Sequence, residues 1–99
     1  MARRIVWSAT ARNDLESIYR YLHNGSPLYA KRFIIKARER ALSLKQFPDR
    51  GRFTPEYPES GIREIFVDNY RMLYRFVFDT IEVVGIIHMS RDLLRVESD

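Results

Sequence analysis

The sequence predicts a single α+β domain with the element order β-α-α-β-β-β, in which a helical hairpin packs on one face of a mostly antiparallel sheet. Two periodicities predict this class. Apolar residues recur at helical spacing through most of the first half of the chain, and at every second position after residue 61. Because 99 residues suffice for one hydrophobic core, we expect one domain over residues 1–99, with a polar tail over about 90–99.

A single residue separates the first predicted strand from the first predicted helix. The run from Arg3 to Trp7 is rich in β-branched residues, which favours a strand, and Ser8 is a suitable N-cap for a helix. The predicted apolar stripe of that helix consists of Ala11, Leu15, Ile18, Tyr19 and Leu22.

A short turn then predicts a second helix packed back on the first. Gly25 is predicted to end the first helix in a left-handed conformation, Ser26 to cap the second, and Pro27 to occupy its first position. One face of the second helix is apolar, with Ala30, Phe33, Ile34, Ala37, Ala41 and Leu44. The rest of its surface carries Lys31, Arg32, Lys36, Arg38 and Arg40.

Beyond a proline-containing loop over residues 47–61, alternating patterns predict three strands. They cover Ile62–Val67, Tyr70–Phe78 and Ile81–Met89, joined by tight turns at Asp68-Asn69 and Asp79-Thr80. The second turn fixes the register of the last two strands and predicts one apolar face under the helices. That face would consist of Tyr70, Met72, Tyr74, Phe76, Phe78, Ile81, Val83, Gly85, Ile87 and Met89.

The same register predicts a cluster of functional side chains on the opposite face. Arg71 and His88 would lie directly across from each other, with Arg91 three residues further along. A histidine can act as base or acid in RNA cleavage, and arginines can steady the phosphate. The alternative is structural: His88 bonded to the backbone, with Arg71 and Arg75 in a solvated row.

The face of Arg63 depends on the first hairpin turn. A two-residue turn at Asp68-Asn69 places Arg63 on the helix side, where a buried charge is expensive. A three-residue loop or a bulge places it beside Arg71 instead. Glu64 faces the other way in either case, and the sequence leaves both registers open.

Composition excludes several classes of site and suggests an acidic partner. Residues 1–52 hold 12 Lys and Arg against 4 Asp and Glu, whereas residues 53–99 hold 5 against 9. The chain has no cysteine and only two histidines, so we expect neither a metal site nor a cofactor. Since no apolar run approaches the roughly 18 residues of a membrane span, we expect a cytoplasmic protein without membrane association.

An ordered series of short motifs resembles the RelE/ParE superfamily of toxins, and its ParE-like branch in particular. The motifs are Ile5-Val6-Trp7-Ser8 with Ala11-x-x-Asp14-Leu15-x-x-Ile18, Phe47-Pro48-x-x-Gly51-Arg52, Ile62-Arg63-Glu64, Tyr70-Arg71-Met72-Leu73-Tyr74-Arg75 and Val84-x-x-Ile87-His88-x-x-Arg91. This resemblance implies a basic toxin of a type II toxin–antitoxin module. It also implies a hetero-oligomer with a cognate antitoxin, whose acidic or amphipathic C-terminal segment wraps the toxin.

The resemblance implies two possible activities. ParE-like members poison DNA gyrase and so arrest growth, whereas RelE-like members cleave mRNA on the ribosome. Arg71, His88 and Arg91 are similar to the nuclease pattern, but this sequence has no lysine after Lys45 and no tyrosine after Tyr74, where that pattern has both.

These departures favour a gyrase inhibitor without catalytic residues. The alternatives are a metal-independent, ribosome-dependent endoribonuclease and a degenerate member that only binds antitoxin. Candidate residues for binding the target or the antitoxin are Arg63, Arg75, Arg32, Lys36 and Arg40.

Overall fold

In a computed structural model that describes residues 3–90, two helices pack on one face of a five-stranded sheet. The elements are β1 (Arg4–Trp7), α1 (Ala9–Gly25), α2 (Pro27–Ser43), β2 (Arg52–Phe53), β3 (Arg63–Val67), β4 (Tyr70–Val77) and β5 (Thr80–His88). The strand order is β1-β5-β4-β3-β2; β1 runs parallel to β5, and the other neighbours are antiparallel. The predicted α+β class is confirmed. Most of the predicted polar tail lies outside the described residues.

The two helices are capped by serines, as predicted, but the turn between them differs from the prediction. The Ser8 side chain accepts a hydrogen bond from the Ala11 N–H, and the Ser26 side chain accepts one from the Tyr29 N–H. The left-handed stop predicted at Gly25 is wrong. Gly25 is the last residue of α1, and extended Ser26 alone ends one helix and starts the next.

The core lies between the helical hairpin and the sheet. The predicted apolar face of α2 is confirmed, since Phe33 and Leu44 are fully buried together with the three alanines of that face. From the sheet, Met72, Tyr74 and Val83 are fully buried against it. The helices therefore cover one face of the sheet and leave the other to loops and solvent.

The register of the β4–β5 hairpin differs from the prediction at both ends. The turn is Phe78-Asp79 rather than Asp79-Thr80, because Val77 pairs with Thr80. This turn displaces the adjoining pairs by two residues from the predicted pairing, and a bulge between Leu73 and Tyr74 then moves the pairing back by one residue.

This shift changes which residues of β5 face the helices. Beyond the bulge, Ile86 and His88 lie on the helix side, in place of the predicted Gly85, Ile87 and Met89. Phe78, also predicted to face the helices, is 98% exposed in the turn.

The β3–β4 hairpin has the two-residue turn Asp68-Asn69, which settles the face of Arg63. Val67 pairs with Tyr70, and Arg63 pairs with Tyr74, so Arg63 lies on the helix side of the sheet. Its guanidinium reaches the sheet edge, where the short strand β2 lies in what the sequence predicted as a loop.

The segment before β2 packs closely on the sheet. Tyr74 accepts a hydrogen bond from the Gly51 N–H at 2.9 Å and donates one to the Pro48 carbonyl at 2.8 Å. A Cβ at residue 51 would lie 2.6 Å from the Tyr74 hydroxyl, so only glycine fits there without rearrangement.

Candidate functional site

The face of the sheet turned away from the helices carries arginines that are matched by carboxylates. We call the six residues Arg52, Glu56, Glu64, Arg71, Arg75 and Glu82 the ion-pair face. Each arginine lies within 2.7–2.9 Å of at least one carboxylate oxygen of this set. The set holds equal numbers of positive and negative side chains, and so it is formally neutral.

Arg71 is the most constrained member of this face. Its guanidinium donates to both oxygens of Glu56 at 2.7 Å and, through Nε, to Glu64 at 2.8 Å. The side chain of Arg71 is 7% exposed, and that of Glu64 is fully buried. Hydrogen bonds from the guanidinium to Glu56, and then to Glu64, raise the pKa of Arg71 above its usual value despite burial. Arg71 is therefore a fixed cation whose hydrogen-bonding groups point at carboxylates.

The loop between β2 and β3 brings Glu56 to Arg71. Thr54 is fully buried; its N–H donates to the Ile62 carbonyl and its hydroxyl to the Tyr57 carbonyl. These bonds fold the loop back over the sheet. Arg52 closes the other side of the cluster, with its Nε 2.7 Å from Glu64. A single loop thus both covers Arg71 and pairs with it.

His88 lies on the other face of the sheet, so the predicted pairing of His88 with Arg71 is wrong. Tyr70 is the residue opposite His88, and their rings meet edge to face with centroids 5.3 Å apart. Arg71 is opposite Ile87. The bulge between Leu73 and Tyr74 causes the change of face, because it shifts the pairing beyond it by one residue. Arg91, the third residue of the predicted cluster, lies outside the described residues.

A cleft of about 620 Å³ opens beside His88, where β5 extends beyond the end of β1. The α1 helix covers part of this strand edge: the Asp14 carboxylate accepts a hydrogen bond from the Ile86 N–H at 3.0 Å. Burial raises the pKa of Asp14, and the bond from Ile86 partly offsets that effect. The cleft therefore combines an exposed imidazole with a partly desolvated carboxyl group.

Two of the candidate binding arginines are already engaged within the sheet. The Arg63 guanidinium stacks over the Phe53 ring at 4.1 Å and donates to the Gly51 carbonyl at 2.7 Å. Arg75 is paired with Glu82 at 2.9 Å on the open part of the ion-pair face, where its side chain is half exposed. Of the two, Arg75 is the more accessible to a partner.

The three candidates on α2 differ in their freedom. Lys36 lies 2.7 Å from Asp68 in the β3–β4 turn, and Arg40 points towards the Phe66 carbonyl at 3.4 Å. Arg32 is exposed and enters none of the ion pairs formed within residues 3–90. Contacts with the sheet thus restrain two of these cations and leave the third on the surface.

Sequence reasoning missed Glu56, the main partner of Arg71. Glu56 lies in a loop with no periodicity, and only the fold brings the loop onto the sheet. The sequence leaves the face of Glu64 open along with that of Arg63; the structure places Glu64 on the face away from the helices, where it pairs with Arg52 and Arg71. Glu64 alternates along β3 with residues that face the helices, and this alternation is the sequence signal for its position on the other face.

Residues 3–90 contain neither a metal-binding cluster nor a membrane-spanning helix. No group of three or more His, Cys, Asp or Glu side chains there is arranged to hold a metal ion. Neither helix in that range is long and apolar enough to cross a bilayer.

A family model and a known toxin match most of the sequence. The family model described as the ParE toxin of the type II toxin–antitoxin system parDE matches residues 5–93. The chain is 32% identical over 89 residues to Toxin RelE2 of Caulobacter vibrioides, covering 89% of this chain and 97% of that relative.

Two solved structures share the fold. The chromosomal ParDE system from P. aeruginosa has a TM-score of 0.76 at 20% identity, covering 90% of this chain and 98% of that chain. The toxin–antitoxin complex RelBE2 from Mycobacterium tuberculosis has a TM-score of 0.60 at 23% identity, covering 89% of this chain and 99% of that chain.

Proposed function

Because this chain belongs to the ParE toxin family of type II toxin–antitoxin systems, we propose that it arrests growth by binding DNA gyrase in the cytoplasm and that a cognate antitoxin neutralises it. In this proposal the chain acts by binding alone. It has no catalytic residues, and its arginines serve to hold the fold or to contact partners.

The observation that carries the proposal is the arrangement around Arg71. A phosphate clamp needs guanidinium N–H groups that are free to bind the phosphoryl oxygens. Here those groups bind Glu56 and Glu64, and turning them towards RNA would leave the Glu64 carboxylate buried with only Arg52 as partner. Removing one partner of a buried ion pair costs about 3–5 kcal/mol, so the arrangement favours a structural role.

The charge of the ion-pair face supports the same conclusion. A protein that grips RNA gains affinity by placing unpaired cations against the phosphate backbone. On this face the three arginines are matched by three carboxylates, and a polyanion would compete with all of them.

The second candidate function is a ribosome-dependent ribonuclease. It is favoured by the exposed imidazole of His88, which lines a cleft large enough for a nucleotide. In this alternative Arg71, His88 and Arg91 carry the chemistry, and Arg71 has to leave its carboxylates before it can act.

A His88→Ala variant separates the two candidates, because His88 is exposed and its loss should leave the fold intact. We expect the variant to remain as toxic as the parent chain when each is induced without antitoxin. Primer extension on mRNA from the same cultures should then show no new cleavage ends. Cleavage ends that appear with the parent chain and vanish with His88→Ala would establish the ribonuclease instead. Normal growth on induction of the parent chain would point to a degenerate member that only binds antitoxin.

A further inference from the structure

The turn of the β4–β5 hairpin carries an exposed phenylalanine in a strained backbone conformation. We call this turn, Phe78-Asp79, the hairpin tip. Phe78 has a φ of 58° and is 98% exposed. This left-handed region is disfavoured for side chains other than glycine, asparagine and aspartate. Because the ring stays in water, burial does not offset that cost. Neither the backbone nor solvation therefore favours a phenylalanine at this position.

The other hairpin turn of the sheet adopts a similar conformation with a suitable residue. In the β3–β4 turn, Asp68 is the first residue and has a φ of 52°. Aspartate tolerates this conformation, and the Asp68 carboxylate accepts hydrogen bonds from Tyr29 and Lys36. Phe78 occupies the corresponding position of the β4–β5 turn, where its ring projects into solvent. A bulky residue held in this region is an outlier that points to a function outside folding.

The hairpin holds the Phe78 ring at a fixed place on the surface. Val77 pairs with Thr80 across the two-residue turn, and Arg75 pairs with Glu82 two residues further back. The side chains of Arg75 and Glu82 form an ion pair at 2.9 Å. The ring therefore projects from the closed end of a regular ladder, and little backbone freedom is lost when it enters a pocket.

Polar groups of both signs surround the ring. Exposed Arg4, at the start of β1, pairs with Thr80 directly after the hairpin tip. The guanidinium of Arg3 lies over the Phe76 ring, 5.4 Å from its centroid. Asp79, the second residue of the tip, is exposed. An aromatic centre with a polar rim that includes arginine is typical of contacts between folded proteins.

The shape and charge of the hairpin tip select the kind of partner. A single protruding ring needs a preformed apolar pocket, which a folded protein offers and an extended peptide segment does not. The phosphate backbone of DNA would meet the Asp79 carboxylate beside the ring, which opposes insertion of Phe78 between bases. A pocket on a folded protein is therefore the partner that fits this tip best.

We propose that Phe78 anchors the chain to its target and that its ring enters an apolar pocket on that folded protein. The inference rests on the proposed function in one respect: the target is assigned to DNA gyrase. In the complex the ring is buried, and Arg4 and Asp79 lie at the polar rim of the contact. The hairpin tip would then serve target binding and contribute nothing to antitoxin binding.

The test compares the parent chain with Phe78→Asn for inhibition of supercoiling by purified gyrase holoenzyme. Because asparagine adopts the left-handed region readily, the variant should keep the circular dichroism spectrum and melt at or above the Tm of the parent chain. We expect the concentration for half inhibition to rise at least about tenfold, since the anchor is lost. Phe78→Leu keeps an apolar side chain in the same turn and should inhibit better than Phe78→Asn.

Tyr21→Asn is the matched control for loss of an exposed aromatic side chain. Tyr21 is 72% exposed and lines a surface pocket with Tyr29, whose hydroxyl bonds to Asp68 in the β3–β4 turn. It therefore lies near the opposite end of β4 from Phe78, and inhibition should stay within about twofold of the parent chain. Isothermal titration calorimetry supplies a second control: the affinity of full-length cognate antitoxin for Phe78→Asn should also stay within about twofold.

The outcomes separate this inference from the proposed function. Equal inhibition by the parent chain and Phe78→Asn, or equal loss in Phe78→Leu and Phe78→Asn, overturns the inference and leaves gyrase as the target. Failure of the folded parent chain to inhibit gyrase overturns the proposed target instead, and growth on induction without antitoxin then decides the inference. Weaker growth arrest by Phe78→Asn than by the parent chain supports an anchor for another target. Equal arrest, or no arrest by the parent chain, overturns it.

Three other partners of the hairpin tip would also overturn the inference. The first is the antitoxin, revealed if Phe78→Asn weakens antitoxin binding while inhibition of gyrase is unchanged. The second is DNA, revealed if the parent chain binds short duplex DNA but not DNA-free gyrase, and Phe78→Asn loses the DNA binding. The third is a second copy, revealed if sedimentation shows a dimer of the parent chain that Phe78→Asn dissociates while inhibition is unchanged.

Discussion

Replacing Arg71 by leucine should destabilise the fold rather than remove a catalytic group. The substitution leaves the fully buried carboxylate of Glu64 without its closest buried partner. Removing one member of a buried ion pair costs about 3–5 kcal/mol. Arg52 remains 2.7 Å from Glu64 but is 64% exposed, so its attraction is partly screened. We therefore expect a loss of about 2–3 kcal/mol in the free energy of unfolding, at or just below the lower limit of that range.

Urea unfolding followed by circular dichroism measures this loss directly. In a domain of this size, about 2–3 kcal/mol corresponds to a fall in Tm of roughly 10–20 °C. The matched control is Arg75→Leu, which breaks the more exposed pair with Glu82 and should cost no more than about 1 kcal/mol. The double variant Arg71→Leu/Glu64→Leu should recover part of the loss, because no unpaired carboxylate then remains buried at position 64. Equal losses for Arg71→Leu and Arg75→Leu would refute the reasoning.

Three further predictions concern pH dependence and turn geometry. The hydrogen bond from Lys36 holds the pKa of Asp68 below its usual value of 3.8, so the stability it contributes is present at neutral pH and is lost as the pH falls through the lowered pKa. Asp68→Asn should therefore cost about 0.5–1 kcal/mol at pH 7 and progressively less below pH 4, as measured by urea unfolding across that range. Burial raises the pKa of Asp14, so its effect on stability has the opposite dependence on pH. Asp14→Asn should be at least as stable as the parent chain at pH 7. As the pH falls through the raised pKa, the free energy of unfolding of the parent chain should increase relative to that of Asp14→Asn. A parent chain that loses stability relative to Asp14→Asn on acidification would contradict this reading. Phe78 has a φ of 58° and is 98% exposed, so Phe78→Asn should relieve left-handed strain at almost no loss of burial and stabilise the chain by about 0.5–1 kcal/mol; a lower Tm for that variant would count against the strain.

The order of the elements and most of the core could be predicted from the sequence, because they depend on local signals. The helix caps at Ser8 and Ser26 depend on residues within one helical turn of each cap. The apolar face of α2 likewise follows from the spacing of its apolar residues along the helix. The Asp68-Asn69 turn was likewise found, since it separates two alternating runs. Two-residue strand β2 was missed because so short a run has no periodicity of its own.

The candidate site could not be predicted because it depends on register. A shift of one residue in the pairing moves every side chain to the other face, and the pairing of β4 with β5 departs from the predicted one in two places. The first is the turn at Phe78-Asp79, which places a phenylalanine where hairpin turns usually have glycine or asparagine. The second is the bulge between Leu73 and Tyr74, for which the flanking residues give no local signal. The displaced turn moves the pairing by two residues and keeps the predicted faces, whereas the bulge moves it back by one and places His88 on the face opposite to Arg71.

Inhibition of gyrase by the purified chain tests the central claim most directly. We predict that micromolar chain inhibits the supercoiling of relaxed plasmid by DNA gyrase, that His88→Ala inhibits equally, and that added antitoxin restores supercoiling. Supercoiling that proceeds unchanged in the presence of folded, micromolar chain would contradict the account.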